Sequence, residues 1–368
     1  RHANEEALDC FGRALQLLPA DAVTERFDLL LRQEAVLAVQ SRHADRRNVM
    51  VELLAVAERQ PDPVQARAQV VVQLARLNID TGDFGAARTW AQAGIDALEQ
   101  VEVISPSCAA RLVDALHQAA RAAYFAGEGP TAWPQVQRAL ALARQHAYLR
   151  GEYNVLSLMG LLHWHAGNFA AADDLLGQAV QLIDQVGDPR RQLDILNNLG
   201  VVAKARARLP QALAYYERAQ AIARRIGDRS GEAMLLNNMG DACLEMGEYH
   251  QAGQYAAQAA RIFEDVNETV SRGSALINRA EACRGLGQFQ LARDLALQAL
   301  ALLRAGHHRH GEAVVLDNLS MVELALGDAE RAEASAQAAW TVAQESGLKA
   351  LQAGILRNLG RAQTALRR

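Results

Sequence analysis

Asparagine returns at one position in five successive stretches of the chain: Asn198, Asn238, Asn278, Asn318 and Asn358, spaced 40 residues apart. A carboxamide donates and accepts hydrogen bonds at once, which complements the backbone of an extended peptide. In a helix interior asparagine costs up to about 0.7 kcal/mol relative to alanine, so its repeated use needs a reason. Ligand binding is one. Inheritance from recent duplication and asparagines that bond one another between helices are the alternatives. Helical spacing puts Asp194, Asn197, Asn237, Asp241, Glu281 and Arg284 beside this row, with Asn154, Lys204, Arg357 and Arg361 further along it. Acidic groups gather in the middle of the row and arginines toward its C-terminal end.

Other residues capable of chemistry lack the spacing that chemistry needs. Cys10, Cys108, Cys243 and Cys283 have no metal-ligand spacing such as C-x-x-C, and a reducing compartment suits them better than paired disulfides. His307, His308 and His310 read as a solvated polar turn rather than a metal site. His163 and His165 flank Trp164 and, being two apart on a helix, splay to different sides, whereas a metal pair prefers i, i+4. Phosphate-loop, zinc-protease, nucleophile-elbow and dinucleotide fingerprints do not occur, so no enzymatic role and no cofactor are expected. A formal charge of −4 argues against nucleic acid as partner. Lys204 and Lys349 are the only lysines, so arginine carries nearly all the positive charge. No apolar run reaches the roughly 20 residues a bilayer requires, and no basic start followed by an apolar core opens the chain. The expectation is a cytoplasmic protein without a membrane partner.

The elements that position the asparagines follow from a period. Gly127, Gly167, Gly247, Gly287 and Gly327 fall on a 40-residue grid, with Ala207 in the one slot that lacks glycine. Five residues after each grid position stands an alanine (Ala132, Ala172, Ala212, Ala252, Ala292, Ala332), and twelve after stands another (Ala139, Ala179, Ala219, Ala259, Ala299, Ala339). Seven before stands a small side chain: Ala120, Gly160, Gly200, Gly240, Ala280 or Ser320. The grid glycine tolerates a positive φ and ends one helix before a tight turn. The small residues lie where two antiparallel helices cross closely, and Leu116, Leu156, Leu196, Leu236, Leu276, Leu316 and Leu356 fill the space between helices. Few aromatic residues and much alanine and leucine suit close-packed helices rather than sheets. Pro130 and Pro210 stand in the first turn of a second helix, where a missing N–H costs nothing. Pro61, Pro63, Pro106 and Pro189 fall between hairpins, and Pro134 is expected in an opening turn.

This spacing resembles the tetratricopeptide repeat in its 40-residue variety. The segments Leu196-Asn197-Asn198-Leu199-Gly200 and Ile226-Gly227-Asp228-Arg229-Ser230-Gly231-Glu232-Ala233 are similar to those of kinesin light chains and Pins-type scaffolds. The resemblance implies an all-α fold, an α-solenoid of antiparallel hairpins wound into a superhelix. It also implies that first helices line a concave groove into which the asparagine row points, holding a protein, a peptide or a small effector. The lysine and arginine clamp that some tetratricopeptide domains use for terminal carboxylates is not reproduced.

The regular repeats run over 107–368, ending in an unpaired helix, and 1–106 holds divergent repeats that start in mid-repeat. Ala7, Phe11, Ala14 and Pro19 match a second helix whose first helix is missing, which implies a fragment of a longer protein. About eight full hairpins and an odd helix at each end are expected. Residues 22–60 form a divergent hairpin that resembles a segment of bacterial multidomain regulators, where it joins a STAND-type ATPase module to a repeat array. The grid slips once, since Gly82 to Gly127 spans 45 residues, and the extra length falls in 99–107. The expected function is a ligand-sensing region of a larger bacterial signal-transduction ATPase or transcriptional regulator; the alternative is a passive scaffold for partner proteins.

Overall fold

The computed structural model describes residues 2–19, 21–40, 42–101 and 105–367, which form helices and no strand. The chain divides into two compact units, residues 1–187 and 188–368. The first holds α1 (His2–Leu17), α2 (Val23–Val39), α3 (His43–Ala57), α4 (Pro63–Asp80), α5 (Phe84–Glu99), α6 (Pro106–Phe125), α7 (Gly129–Gln145), α8 (Leu149–His165) and α9 (Phe169–Val186). The second holds α10 (Pro189–Ala205), α11 (Leu209–Ile226), α12 (Arg229–Met246), α13 (Tyr249–Asp265), α14 (Thr269–Gly285), α15 (Phe289–Ala305), α16 (Arg309–Ala325), α17 (Ala329–Glu345) and α18 (Lys349–Leu366). Among the described residues, eight hairpins (α2–α3 through α16–α17) stand between single helices α1 and α18, as the period predicts. The longer link before α6 falls partly on residues 102–104, outside the described residues.

Each hairpin turns where the grid requires. Gly127, Gly167, Gly247, Gly287 and Gly327 all have φ between 74° and 83°. Each turn closes with the two hydrogen bonds of a left-handed cap, such as Glu128 N–H to the Ala123 carbonyl at 2.9 Å and Gly127 N–H to Tyr124 at 3.1 Å. Ala207 takes the same conformation at φ 56° and makes the same bonds, so the fold imposes the turn even without glycine. A second grid, not apparent in the sequence, ends the second helices. Ala147, Gly187, Gly227, Asn267, His307 and Gly347 are all left-handed, and only three of the six are glycine.

The small residues sit at helix crossings. A Cβ on Gly160 would lie 2.7 Å from the Leu176 side chain, and one on Gly200 would lie 2.2 Å from the Tyr216 ring. Leu116, Leu156, Leu196, Leu236, Leu276 and Leu316 are buried. Leu356 departs from the expectation and is 47% exposed, with no helix packed over it among the described residues. Pro134 departs too. It is the sixth residue of α7 rather than part of its opening turn, and α7 continues through it without that N–H.

Within each unit, helices touch their chain neighbours, and first helices also touch the first helices of adjacent hairpins: α4, α6 and α8 in one unit, α12, α14, α16 and α18 in the other. The first helices are therefore the inner row of each unit. Ion pairs clamp the end of a second helix to the start of the next first helix, eight residues on. Arg144–Glu152, Arg224–Glu232 and Arg304–Glu312 each meet at 2.8 Å, and Glu264–Arg272 makes the same clamp at 2.9 Å with the charges exchanged. In the divergent region, buried Arg46 on α3 reaches Glu34 on α2 at 2.8 Å and Asp80 on α4 at 2.9 Å.

Candidate functional site

The asparagine row lies on the inner helices of the second unit, one residue each on α10, α12, α14, α16 and α18. Asn198, Asn238, Asn278 and Asn318 are half-buried, and Asn358 is buried. A ladder of side-chain hydrogen bonds runs between first helices. Asn238 Nδ2 donates to Asn197 Oδ1 at 2.8 Å, Asn278 Nδ2 to Asn237 Oδ1 at 3.0 Å, and Asn358 Nδ2 to Asp317 Oδ1 at 2.9 Å. Each donor stands 41 residues after its acceptor, so two helices are stitched side chain to side chain at the same height. Bonding between helices, one of the alternatives raised by the sequence, thus engages the Nδ2 group of each of these three amides, and Asn278 Nδ2 also lies 3.4 Å from the Asn237 carbonyl. The side-chain oxygens of the half-buried Asn238 and Asn278 are left for other partners. The acceptors Asn197, Asn237 and Asp317 each precede a row asparagine directly, and those doublets were the sequence signal for the ladder.

One rung is open. Ile277 occupies the acceptor position for Asn318 and offers no side-chain oxygen. The Asn318 amide is consequently held half-buried, with no ladder bond available on that side.

The charged residues of the row are mostly paired within it. Lys204 Nζ donates to Asp241 Oδ2 at 2.6 Å and to Glu245 Oε1 at 2.9 Å. Burial pulls the Lys204 pKa down, but hydrogen bonds and charge from Asp241 and Glu245 outweigh it and the net shift is upward. Arg284 Nη2 meets Glu281 Oε1 at 3.4 Å, while the buried Arg284 Nε has no hydrogen-bond partner. Burial raises the pKa of Asp194, and Arg191, 3.3 Å away, offsets part of that. Asp317 is likewise raised by burial and partly relieved by Asn358 and Arg357. On α18, Arg357 and Arg361 line an open cavity of about 510 Å³. Asn154 lies on α8, in the other unit.

The remaining residues singled out from the sequence take structural positions. His307 is a left-handed turn residue, and His308 caps α16 by accepting the Gly311 N–H on Nδ1 at 3.1 Å. All four cysteines are free, with Cys108, Cys243 and Cys283 buried and Cys10 exposed. Burial raises the pKa of each of the three buried thiols, Cys243 to about 11. Among the described residues no helix is long and apolar enough to cross a membrane.

Comparison with known proteins agrees with this architecture. The family model for the tetratricopeptide repeat matches residues 151–225, 191–265, 231–305 and 271–345, overlapping windows that cover more than half of the chain. No curated protein matches. Among solved structures, the chain is similar to the apo form of the quorum sensor NprR from B. thuringiensis, at 15% identity and a TM-score of 0.69 over 94% of both chains. It is similar to a signal transduction ATPase with numerous domains, bearing a tetratricopeptide repeat sensor, from Pyrococcus horikoshii. That match has 14% identity and a TM-score of 0.65, over 96% of this chain and 55% of that one. A Rap protein complexed with competence and sporulation factor matches at 15% identity and a TM-score of 0.61, over 82% of this chain and 86% of that one. At these identities the likeness is one of fold. The repeat period, the hairpins it builds and the family match agree: the chain belongs to the tetratricopeptide repeat family.

Proposed function

We propose that the inner row of the second unit binds an extended protein or peptide segment, and that the chain is the ligand-sensing region of a larger bacterial signal-transduction ATPase or transcriptional regulator. The observation that carries this reading is the asparagine ladder with its open rung. Half-buried amides already fixed by one inter-helix bond present their remaining groups without further loss of side-chain freedom, and a peptide backbone supplies matching donors and acceptors. Asp194, Asn197, Asn237, Asp241, Glu281 and Arg284 flank the ladder and would set which side chains the segment carries. The role is non-catalytic. Structural neighbours that include a quorum sensor, a tetratricopeptide repeat sensor and a Rap protein complexed with competence and sporulation factor support a sensor in particular.

Asn318 makes the cleanest test, because its loss breaks no ladder bond. Peptides selected from a displayed random library on the immobilised chain are titrated by calorimetry against the wild type and Asn318→Ala. Loss of one amide contact worth about 0.5–1.5 kcal/mol corresponds to roughly 2- to 13-fold weaker binding, with the melting temperature held. Unchanged affinity in both Asn198→Ala and Asn318→Ala would place the binding surface elsewhere.

A further inference from the structure

The sequence singles out His163-Trp164-His165, and in the structure the two histidines face different aromatic partners. The His163 ring packs edge-on against Trp133 with centroids 4.8 Å apart, and the His165 ring packs edge-on against Tyr124 at 5.0 Å. Between them, at the turn end of α6, α7 and α8, lies a cavity of about 380 Å³. Its walls are Tyr124, Trp133, His165, Leu162 and Pro130, and Gly127 and Gly129 leave the turn side without side chains. A Cβ built on Gly129 meets only Leu162, at 3.6 Å, so the space beyond it is open.

The chemistry of the lining narrows what fits. No carboxylate, ammonium or guanidinium lines it, so an ion entering would be desolvated without a counter-charge. No carboxamide lines it either, in contrast to the asparagine row, so nothing is placed to hold a peptide main chain. The walls are aromatic faces and edges, which prefer stacked or edge-on contact with another ring. One polar contact is present: Tyr124 Oη and His165 Nδ1 lie 3.0 Å apart. With the hydroxyl donating to Nδ1, the Tyr124 oxygen keeps lone pairs for a donor on a bound molecule. Burial raises the Tyr124 pKa, which keeps this hydroxyl protonated.

We propose that this cavity is a binding site for a small, neutral, planar ring bearing one N–H or O–H donor, of the phenol or indole class. It belongs to the first unit and is independent of the amide row.

Indole serves as the probe. The chain has four tryptophans, whose ring N–H resonances are resolved by nitrogen-15 correlation spectroscopy, Trp133→Phe assigning the one in the wall. The expected result is saturable binding that shifts Trp133 and leaves Trp90 and Trp340 unmoved. Gly129→Phe should abolish it by filling the cavity. His165→Ala removes an exposed ring and is the second variant should Gly129→Phe fail to fold; it should weaken binding about tenfold. Tetramethylammonium and N-acetyltryptophanamide should bind more weakly than indole. Non-saturating shifts with indole, or equal binding by wild type and His165→Ala, would overturn the site. Tighter binding of tetramethylammonium would overturn the neutral-ring assignment, and tighter binding of N-acetyltryptophanamide would make the occupant a peptide side chain.

Discussion

Gly200 and Tyr216 form a knob and hole whose coupling can be measured by a double-mutant cycle. A methyl group on Gly200 would lie 2.2, 2.6 and 2.7 Å from three atoms of the Tyr216 ring, which is fully buried. Carbon atoms rest at about 3.5–4.0 Å, so the ring must move by about 1 Å within a packed core. Overpacking of this kind costs about 1–3 kcal/mol, and replacing a helix-interior glycine by alanine returns about 1 kcal/mol. Gly200→Ala should therefore destabilise the wild type by up to about 2 kcal/mol. Tyr216→Ala alone should cost about 3–5 kcal/mol, by analogy with large aromatic truncations. In that background the same Gly200→Ala meets empty space, and its sign should invert, stabilising by up to about 1 kcal/mol. The coupling is then about 1–3 kcal/mol, within the range found for residues in contact. Urea denaturation followed by far-ultraviolet circular dichroism on all four proteins measures it, with unchanged m-values required for the comparison. If Gly200→Ala shifts stability equally in both backgrounds, to within about 0.5 kcal/mol, the helix crossing does not depend on this pair.

Three further substitutions follow from the turns and the ladder. Ala207→Gly relieves a left-handed alanine at φ 56° and should raise stability by about 1 kcal/mol, read as a higher urea midpoint. His308→Asp replaces an imidazole cap on α16 by the carboxylate that caps α12 and α17 at Asp228 and Asp328. It should add a few tenths of a kcal/mol, whereas His308→Ala should lose about 1 kcal/mol; equal melting temperatures for the two would show that the Nδ1 bond contributes nothing. Asp317→Asn keeps an oxygen for Asn358 and recreates the rung seen at Asn197 and Asn238. Because burial raises the folded Asp317 pKa above the unfolded value near 3.8, the native state holds this proton more tightly. Wild-type stability should therefore fall relative to Asp317→Asn as pH rises from about 3.8 through the folded pKa, and the gap should close in acid. A gap that does not change with pH would mean that Asp317 titrates alike in both states.

The hairpins were legible because packing constrains residue size at fixed intervals. Only a small residue fits where Gly160 faces Leu176 or Gly200 faces Tyr216, so the 40-residue grid is written in glycine and alanine. The second turn grid was hidden because Ala147, Asn267 and His307 adopt a positive φ under tertiary constraint, without a shared residue type to announce it. The clamp between hairpins was hidden for a related reason. An ion pair needs opposite charges rather than a given residue, and at Glu264–Arg272 the polarity is exchanged.

The site divides along the same line. Sequence alone determined that asparagine recurs on one face of five successive first helices, α10 to α18, since helical period and repeat length together set that position. Which groups of each amide are engaged was decided only by tertiary structure. The acceptors lie 41 residues away on a neighbouring helix, and the packing of first helices brings them to within 3.0 Å. At the corresponding position for Asn318, 41 residues before it, stands Ile277, which has no side-chain oxygen, so that rung is open. The aromatic cavity was likewise beyond the sequence. Tyr124 and His165 stand 41 residues apart like the ladder pairs, but Trp133 comes from the helix between them, and only the turn ends of two hairpins draw the three around one space.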